Sequence, residues 1–336
     1  MKAVRIHTHG SPDVLTIEDV ATPTPGPGQI LLRVESAAVN YADLLRRRDD
    51  PYPFPTTLPF TPGGEVAGTV EGLGQGVDAP PVGTAVFALV GNDGSNGYAQ
   101  YAVANAAQVI PIPPGLSSDE AAGIVVAGAT ALLTLTEVGE LAAGETVLVE
   151  GAGGGVGSYA IQIAKLLGAT VVAAASTSSK RDTALALGAD HVVDYTQPDW
   201  VEQVRTLTTG RGVDVVLETA GGPIFDDALR VLAPFGRIVV AGMASGTPLH
   251  LDEATTRAFF YDPALNQSLR SFNVGLYFGL RPQTAIAALQ TLIGYVATGR
   301  VKVPLSRTYP LAEAADAHRL IEDRQSTGKI ILKPWP

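Results

Sequence analysis

The segment Thr146–Gly157 (TVLVEGAGGGVG) decides the fold, because it joins an apolar strand to a glycine-rich turn. A helix is predicted next, with an apolar face made of Val156, Ala160, Ile163, Ala164 and Leu167. Such a turn lets backbone N–H groups and a helix N-terminus approach a pyrophosphate. The strict G-x-G-x-x-G pattern fails at its first position, which is Ala152, but strand, turn and helix follow in the required order. This context favours a dinucleotide site over the alternative, a glycine turn without a ligand.

The end of the next predicted strand distinguishes between dinucleotides. Thr170–Ala174 runs into Ala175–Arg181 (ASTSSKR), which contains hydroxyl groups and two cations but no acid. An Asp or Glu about 20 residues after the turn would bind the ribose 2′-OH of NAD, whereas cations suit a 2′-phosphate. The segment therefore favours NADPH. The alternative is an ordinary helix N-terminus, capped by Ser178 or Ser179, with solvated cations.

Strands and helices alternate around this segment. The predicted strands are Thr146–Val149, Thr170–Ala174, His191–Val193, Val213–Leu217 and Arg237–Ala241. The predicted helices are Ser158–Leu167, Ser178–Leu187, Trp200–Thr208 and Phe225–Leu232. Apolar strands that alternate with helices predict a parallel sheet covered on both faces. Phe272–Leu276 is predicted to be the last strand of this sheet.

Residues 1–115 show a different pattern, short strands between glycine and proline turns. These strands are Ile30–Val34, Glu65–Val70, Thr84–Ala88 and Gly97–Val103, which predict a small β-barrel or sandwich. Ser117–Glu120 is a capping box that opens a predicted helix to about Thr134. The tail is expected to pack on this N-terminal part. Its predicted elements are two helices and one strand, Thr284–Thr298, Leu311–Arg324 and Lys329–Lys333.

Composition excludes several classes of function. The chain carries 23 Lys and Arg against 33 Asp and Glu, a net charge of −10, so nucleic acid is not an expected partner. Cysteine is absent, which excludes disulfides, Cys-ligated metals and a thiolate nucleophile. The apolar stretch Ala121–Thr136 is shorter than the ~20 residues that span a bilayer, and Met1–His7 turns polar too early for a signal peptide. We expect a cytoplasmic protein with no membrane partner.

An ordered set of motifs runs along nearly the whole chain. They are Val39–Leu44 (VNYADL), Leu58–Gly63 (LPFTPG), Glu65–Gly68 (EVAG), Gly97–Tyr101 (GYAQY), Gly128–Ala131 (GATA), Ala152–Gly157, Leu187–Asp190 (LGAD), Asp194–Tyr195 and Thr327–Ile330 (TGKI). The set resembles the zinc-independent, zeta-crystallin-like quinone oxidoreductases of the medium-chain dehydrogenase/reductase superfamily. The resemblance implies an α/β protein, usually a homodimer. Its doubly wound Rossmann domain would be residues 123–279, and its GroES-like β-barrel domain residues 1–122 and 280–336.

Two features depart from related patterns. Zinc alcohol dehydrogenases carry Gly-His-Glu where this chain has Gly63-Gly64-Glu65, and with no cysteine neither zinc site of that branch can form. No metal is therefore expected. The segment Arg46–Tyr52 looks about one residue longer than its family counterpart, and Tyr52 is the candidate for a tyrosine beside the substrate.

The resemblance also implies roles for single residues. Asn40 and Thr130 would lie near the nicotinamide, with Tyr41 and Tyr52 at the substrate. The expected cofactor contacts elsewhere are Gly154, Gly155, Val156 and Gly157 at the pyrophosphate, Ser176, Lys180 and Tyr195 at the 2′-phosphate, Thr219, Ala220 and Gly242 along the crevice, Phe272, Asn273 and Val274 at the carboxamide, and Lys329. The alternatives are helix caps for Asn40 and Asp43, a helix-interior hydroxyl for Thr130 and a core ring for Phe272.

The implied activity is NADPH-dependent reduction of quinones or α,β-unsaturated carbonyl compounds. The cofactor would carry the chemistry while the protein positions it, and water would supply the proton. An enoyl-thioester reductase and a non-catalytic NADPH-binding protein are the alternatives. No Gly-x-Ser-x-Gly elbow precedes a helix, so hydrolysis has no support.

Overall fold

A computed structural model describes all 336 residues, which form two compact units. Unit 1 consists of Met1–Val126 and Val303–Pro336, and unit 2 of Ala127–Lys302. The sequence placed the two boundaries earlier, after residues 122 and 279.

The second boundary differs because the helix over residues 282–297 packs within unit 2. A Cβ added to Gly128 would collide with the Leu292 side chain of that helix. The Gln162 side chain also binds the main chain of Lys302 through two hydrogen bonds, of 3.0 and 2.8 Å. The tail therefore returns to unit 1 only from Val303 onward.

Strands and helices are numbered in chain order. The strands are β1 Lys2–Arg5, β2 Thr16–Asp19, β3 Gln29–Val39, β4 Glu65–Leu73, β5 Ala85–Leu89, β6 Tyr101–Asn105, β7 Ile110–Pro111, β8 Thr146–Val149, β9 Thr170–Ala174, β10 His191–Val193, β11 Val213–Glu218, β12 Leu232–Val240, β13 Ser268–Ser271, β14 Leu305–Pro310 and β15 Lys329–Lys333. The α-helices are α1 Tyr41–Arg48, α2 Ser118–Ala122, α3 Val125–Leu133, α4 Gly155–Leu166, α5 Ser178–Ala186, α6 Trp200–Leu207, α7 Pro223–Val231, α8 Glu253–Tyr261, α9 Val274–Leu280, α10 Pro282–Ala297 and α11 Ala314–Glu322.

Unit 2 contains a six-stranded sheet in the order β10-β9-β8-β11-β12-β13, and all its pairs are parallel. Val147, Leu148 and Val149 of β8 are fully buried, as a sheet covered on both faces requires. The Rossmann prediction is confirmed. The strand order reverses between β8 and β11, so the topological switch point lies at their carboxyl ends.

The predicted last strand of this sheet, Phe272–Leu276, is wrong. Strand β13 ends at Ser271, and Val274 begins α9. Asn273 is the reason, because its side-chain Oδ1 accepts a hydrogen bond from the Leu276 N–H at 3.2 Å and caps this helix.

Unit 1 is built on a seven-stranded sheet. The strand path is β14-β15-β3-β4-β5-β7, and β6 pairs with β3. Its core is a cluster of buried apolar side chains that includes Ile30, Leu32, Val34, Val66, Val70, Val86, Ile330 and Leu332. The N-terminal strands and the tail strand β15 thus share one core, which confirms the GroES-like prediction and the return of the tail.

The predicted helix between residues 117 and 134 is interrupted. Its capping box is present, since Ser117 Oγ accepts the Glu120 N–H at 3.2 Å and Glu120 Oε2 accepts the Ser117 N–H at 2.9 Å. Gly123 ends α2 after one turn, α3 follows, and Thr134–Val138 forms a π-helical turn. None of the helices combines the length and apolar character that crossing a bilayer requires.

Candidate functional site

The glycine turn after β8 leads into the uncapped N-terminus of α4. Gly154 is the N-cap of α4 and offers no capping side chain, and the first turn of a helix leaves its N–H groups without intrahelical partners. Gly155, Val156 and Gly157 supply those N–H groups. A Cβ on Gly157 would lie 2.5 Å from the Gly151 carbonyl oxygen, so only glycine lets the turn pack against the helix. The four residues predicted at a pyrophosphate are therefore brought together.

Lys180 lies across this turn. A Cβ on Gly153 would be 2.7–3.0 Å from the Cβ, Cγ and Cδ atoms of Lys180. The backbone N–H of Lys180 is held by Thr177 Oγ1 at 3.3 Å, so Thr177 caps α5 in place of the predicted Ser178 or Ser179. The residue that the sequence assigned to a 2′-phosphate is thus adjacent to the turn assigned to the pyrophosphate.

Ser176 and Tyr195 lie at the same sheet edge. Ser176 follows β9 and Tyr195 follows β10, and these strands are parallel neighbours whose carboxyl ends coincide. Asp194, the acid that directly follows β10, is paired with Arg181 at 2.8 Å. A phosphate at this edge would therefore meet a neutralised carboxylate.

Thr219, Ala220 and Gly242 also meet, at the carboxyl ends of the central strands. Thr219 Oγ1 donates to the main-chain oxygen of Glu150 at 3.2 Å, and a Cβ on Gly242 would be 3.0 Å from the Thr219 carbonyl oxygen. The Ser245 N–H donates to the Ala220 carbonyl oxygen at 2.8 Å. The crevice assignment thus falls at the switch point of the sheet.

The carboxamide assignment is only partly compatible with the structure. The Phe272 N–H donates to the Val240 carbonyl oxygen at 2.9 Å, so it extends the sheet and is not available to a ligand. The Phe272 ring lies 5.3 Å from the Tyr277 ring. Val274 starts α9 and keeps the exposed N–H of a first helical turn. Thr130, assigned to the nicotinamide, lies inside α3 and is 6% exposed.

In unit 1, the Asn40 side chain is held by a buried ion pair. Its Oδ1 accepts from Lys329 Nζ at 2.6 Å, and its Nδ2 donates to Glu65 Oε2 at 3.1 Å. Lys329 Nζ is 3.4 Å from the same Glu65 oxygen and donates to the Val39 carbonyl oxygen at 3.2 Å. Glu65 and Lys329 are 0% and 3% exposed. Lys329 therefore directs its N–H groups at Val39, Asn40 and Glu65, and its contact with the cofactor stays a prediction.

The backbone of Asn40 is held by a second buried group, Asp43. The Asp43 carboxylate accepts from the Asn40 N–H at 2.9 Å, the Gly63 N–H at 3.1 Å and Tyr98 Oη at 3.0 Å. The capping role that the sequence offered as an alternative for Asp43 is therefore real. Burial raises the pKa of Asp43 to about 6.

The same network continues to the opposite end of α1. Tyr98 Oη is 3.1 Å from His318 Nε2, and His318 Nδ1 is 3.4 Å from Arg47 Nη1. Arg47 Nη2 in turn pairs with Glu322. Burial, with a smaller effect of Arg47, lowers the pKa of His318 to about 3, so this imidazole is neutral. Tyr98 and His318 were not predicted as members of the site. They lie 220 positions apart in the chain, so no local pattern connects them.

The two predicted tyrosines are placed by arginines of α1. Tyr41 Oη accepts from Arg48 at 3.3 Å, and the Tyr52 ring lies 5.2 Å from the Arg46 guanidinium. Arg46 is 1% exposed and pairs with Asp93 at 2.6 Å. Burial raises the pKa of Tyr52, which makes it a weaker acid. No group of three or more His, Cys, Asp or Glu side chains is arranged to hold a metal ion.

Comparisons with known proteins extend over the whole chain. Residues 26–114 match the family of alcohol dehydrogenase GroES-like domains, and residues 187–332 match a family described as zinc-binding dehydrogenases. The 2-haloacrylate reductase of a Burkholderia species is 33% identical, and the alignment covers 99% of this chain and 98% of that protein.

Two further similarities concern a larger protein and a solved structure. The phthioceranic/hydroxyphthioceranic acid synthase of Mycobacterium tuberculosis is 34% identical over 98% of this chain, which spans only 15% of that synthase. The structure of Escherichia coli quinone oxidoreductase complexed with NADPH superposes with a TM-score of 0.90 at 27% identity, covering 99% of this chain and 100% of that one.

Proposed function

Because the chain belongs to the zinc-independent branch of the medium-chain dehydrogenase/reductase superfamily, we propose that it is an NADPH-dependent reductase of quinones or α,β-unsaturated carbonyl compounds. The observation that carries the proposal is the Lys180 side chain across the glycine turn, near Asp194, whose carboxylate is already paired with Arg181. A cation there suits the 2′-phosphate that distinguishes NADPH from NADH. The Escherichia coli quinone oxidoreductase, of the same fold, was solved with NADPH.

When bound, NADPH supplies a hydride from C4 of its nicotinamide. The proposed cofactor contacts of unit 2 are Thr130, Gly154, Gly155, Val156, Gly157, Ser176, Lys180, Tyr195, Thr219, Ala220, Gly242, Asn273 and Val274. In unit 1, Asn40 orients the nicotinamide, and the Lys329–Glu65 pair keeps the Asn40 amide in one orientation. A fixed amide matters because near-attack geometry depends on placing the reacting atoms about 3–3.5 Å apart.

Proton delivery needs no dedicated acid in this proposal. Hydride addition leaves an enolate or a hydroquinone anion, which water can protonate. Tyr52 is a weakened acid, and the Tyr41 hydroxyl accepts a hydrogen bond from Arg48. The proposal gives Tyr41 and Tyr52 the role of positioning the substrate.

An enoyl-thioester reductase is the second candidate. It is favoured by the 34% identity to the mycobacterial synthase over nearly the whole chain. Both candidates reduce a polarised double bond, so they differ in the acyl carrier and not in the hydride step. A non-catalytic NADPH-binding protein is the third.

A homodimer is also proposed. Strand β13 is the edge of its sheet and pairs only with β12, which leaves backbone N–H and C=O groups available to another strand. Large apolar side chains are exposed on the neighbouring helices, among them Tyr261 at 76% and Leu280 at 78%. Light scattering of the purified protein tests this, and a monomer at micromolar concentration would contradict it.

The activity is tested by following NADPH absorbance with a panel of quinones, enones, a 2-haloacrylate and enoyl-thioesters. Turnover of quinones or enones, with NADPH preferred to NADH, is the expected result. Turnover confined to enoyl-thioesters would move the assignment to the second candidate. Binding of NADPH without turnover of any panel member would establish the third.

A further inference from the structure

Two buried carboxyl groups lie next to each other in unit 2. Glu150 directly follows β8, and Glu218 is the last residue of β11, the parallel neighbour of β8. The register pairs Val149 with Leu217, which aligns the two glutamates, and they are 1% and 0% exposed. Their side chains are within hydrogen-bonding reach of each other. The pair therefore lies at the switch point of the sheet, below the turn that the proposed function assigns to the cofactor.

The pair lacks hydrogen-bond donors. Glu218 Oε1 accepts from the Ala220 N–H at 2.8 Å and from the Gly221 N–H. Glu218 Oε2 and both side-chain oxygens of Glu150 are buried without a donor. Two adjacent carboxylates in such a place would repel each other and leave three acceptors unsatisfied. A single proton on Glu150 removes the repulsion and gives Glu218 Oε2 a donor, which leaves one Glu150 oxygen without a partner.

No cation compensates the pair. The groups that act electrostatically on Glu218 are the Glu150 side chain and the backbone of Ala220 and Gly221. Charged residues on the packed elements are engaged elsewhere, Asp214 with Arg211, Asp227 with Arg230 and Trp200, and Arg237 with Glu145. Lys165 on α4 is paired with Asp190, and Asp226 on α7 is exposed. Backbone N–H groups stabilise one carboxylate of the pair, and protonation of the other removes the repulsion between them.

We propose that Glu150 carries a proton which it donates to Glu218, and that this neutral–ionised pair positions the turn Thr219–Gly221 at the cofactor crevice. The inference rests on the proposed function, because that turn is part of the proposed cofactor site. Glu218 is the ionised member, since two backbone N–H groups bind its carboxylate. Glu150 is a positioning residue, because it acts through Glu218.

Ionisation of Glu150 has a definite consequence. A second negative charge would repel Glu218 and disturb the Ala220 and Gly221 hydrogen bonds that hold the turn of the proposed cofactor site. Burial raises the pKa of both glutamates, and repulsion by Glu218 raises that of Glu150 further. Cofactor affinity should thus fall as pH rises through the raised pKa of Glu150.

The test compares wild type with Glu150→Gln and Glu150→Leu, using NADPH fluorescence to measure Kd from pH 6 to 9. A glutamine amide donates the same hydrogen bond but cannot ionise, whereas leucine cannot donate. Above its titration point, the affinity of the wild type should fall by up to about tenfold per pH unit, because one proton is linked to binding. Glu150→Gln should lack this component, and Glu150→Leu should bind more weakly at all pH values. Superimposable pH profiles for wild type and Glu150→Gln would overturn the proposal.

A second measurement separates this proposal from the proposed function. Urea unfolding without NADPH is followed over the same pH range for wild type and Glu150→Gln. An acid whose folded-state pKa is raised contributes stability below its unfolded pKa and loses it as pH rises through the folded value. Wild type should therefore lose stability relative to Glu150→Gln as pH rises, even if NADPH is not the ligand. Equal pH dependence of the two proteins in this measurement would show that Glu150 holds no shared proton.

Discussion

Each unit contains a buried acidic group at a strand end, and the two differ in what balances the charge. In unit 1, Glu65 lies 3.4 Å from Lys329 Nζ, so an ion neutralises an ion. In unit 2, Glu150 and Glu218 have each other and no cation. The ion pair of unit 1 keeps its geometry at ordinary pH, but removing either partner leaves a buried charge without a counter-ion. In the proposed Glu150–Glu218 pair, a glutamine amide can replace the protonated acid, but the wild-type pair responds to pH.

The largest effect is expected from removing the cation of unit 1. Lys329→Met leaves the Glu65 carboxylate buried and unpaired, which costs about 3–5 kcal/mol of unfolding free energy. Urea denaturation measures this. The matched control is Lys2→Met, since Lys2 forms an exposed pair with Asp19 and its loss should lower the free energy of unfolding far less. Similar losses in the two variants would contradict the buried-pair description, and adding Glu65→Gln to Lys329→Met should recover part of the loss.

The next effect concerns the side chain that this ion pair orients. Asn40→Ala should lower kcat by about 100-fold, because a small displacement of the nicotinamide costs that much in rate. Asn105→Ala, which removes another capping asparagine of unit 1, serves as the control and should leave kcat unchanged. Steady-state kinetics with one quinone and one enone test it. A kcat within threefold of wild type for Asn40→Ala would contradict the positioning role.

A third substitution removes Lys180, the cation that lies across the glycine turn of unit 2. Lys180→Met should weaken NADPH binding by roughly 10- to 150-fold, since a charge-assisted hydrogen bond contributes ~1.5–3 kcal/mol. NADH binding should change little. Fluorescence titration with both cofactors provides the measurement, with Arg181→Met as control, because Arg181 is already paired with Asp194. Equal weakening of NADPH and NADH would remove Lys180 from the 2′-phosphate site.

In unit 1 the stability is expected to change on acidification, whereas in unit 2 it is expected to change as pH rises. His318, with its pKa lowered to about 3, loses stability as pH falls below its ordinary 6.5. Asp43, with its pKa raised to about 6, gains stability as pH falls toward its ordinary 3.8. From pH 6.5 to 5 the two contributions are about −2 and about +1 kcal/mol, at 1.4 kcal/mol per pH unit.

Single variants should expose these opposed contributions. Asp43→Asn should lose stability on acidification more steeply than wild type, and His318→Gln less steeply. Urea unfolding at pH 6.5 and 5 measures both slopes. If the two variants showed the same slope, the network would not titrate as its burial indicates.

The smallest effect is expected at the tyrosines. Tyr41→Phe and Tyr52→Phe should each lower kcat by less than ~10-fold, because neither supplies the proton in this mechanism. A general acid would contribute ~10²–10⁴-fold. A loss of ~10²-fold or more in kcat with KM unchanged would identify that tyrosine as the acid.

Local sequence was sufficient for most elements. The strands Thr170–Ala174, His191–Val193 and Lys329–Lys333 lie where they were predicted, because short apolar runs between turn residues leave one arrangement. The prediction failed at Phe272–Leu276, where an apolar run fits a strand and a helix equally well and the Asn273 cap decided. It also missed the break at Gly123, where a single residue ends a helix that the pattern continued.

By itself the sequence determined the fold class, the glycine turn and the absence of an acid after β9, because each depends on residues close together in the chain. Only the tertiary structure decided which charges are compensated. Asn40 and Lys329, separated by 289 positions, meet in one buried network, and Glu150 meets Glu218 through strand order. Lys329 therefore supports Asn40, and the proposed proton of Glu150 depends on the Glu218 carboxyl beside it. The free energy of a buried charge depends on its neighbours in space, and those neighbours exist only once the sheets have formed.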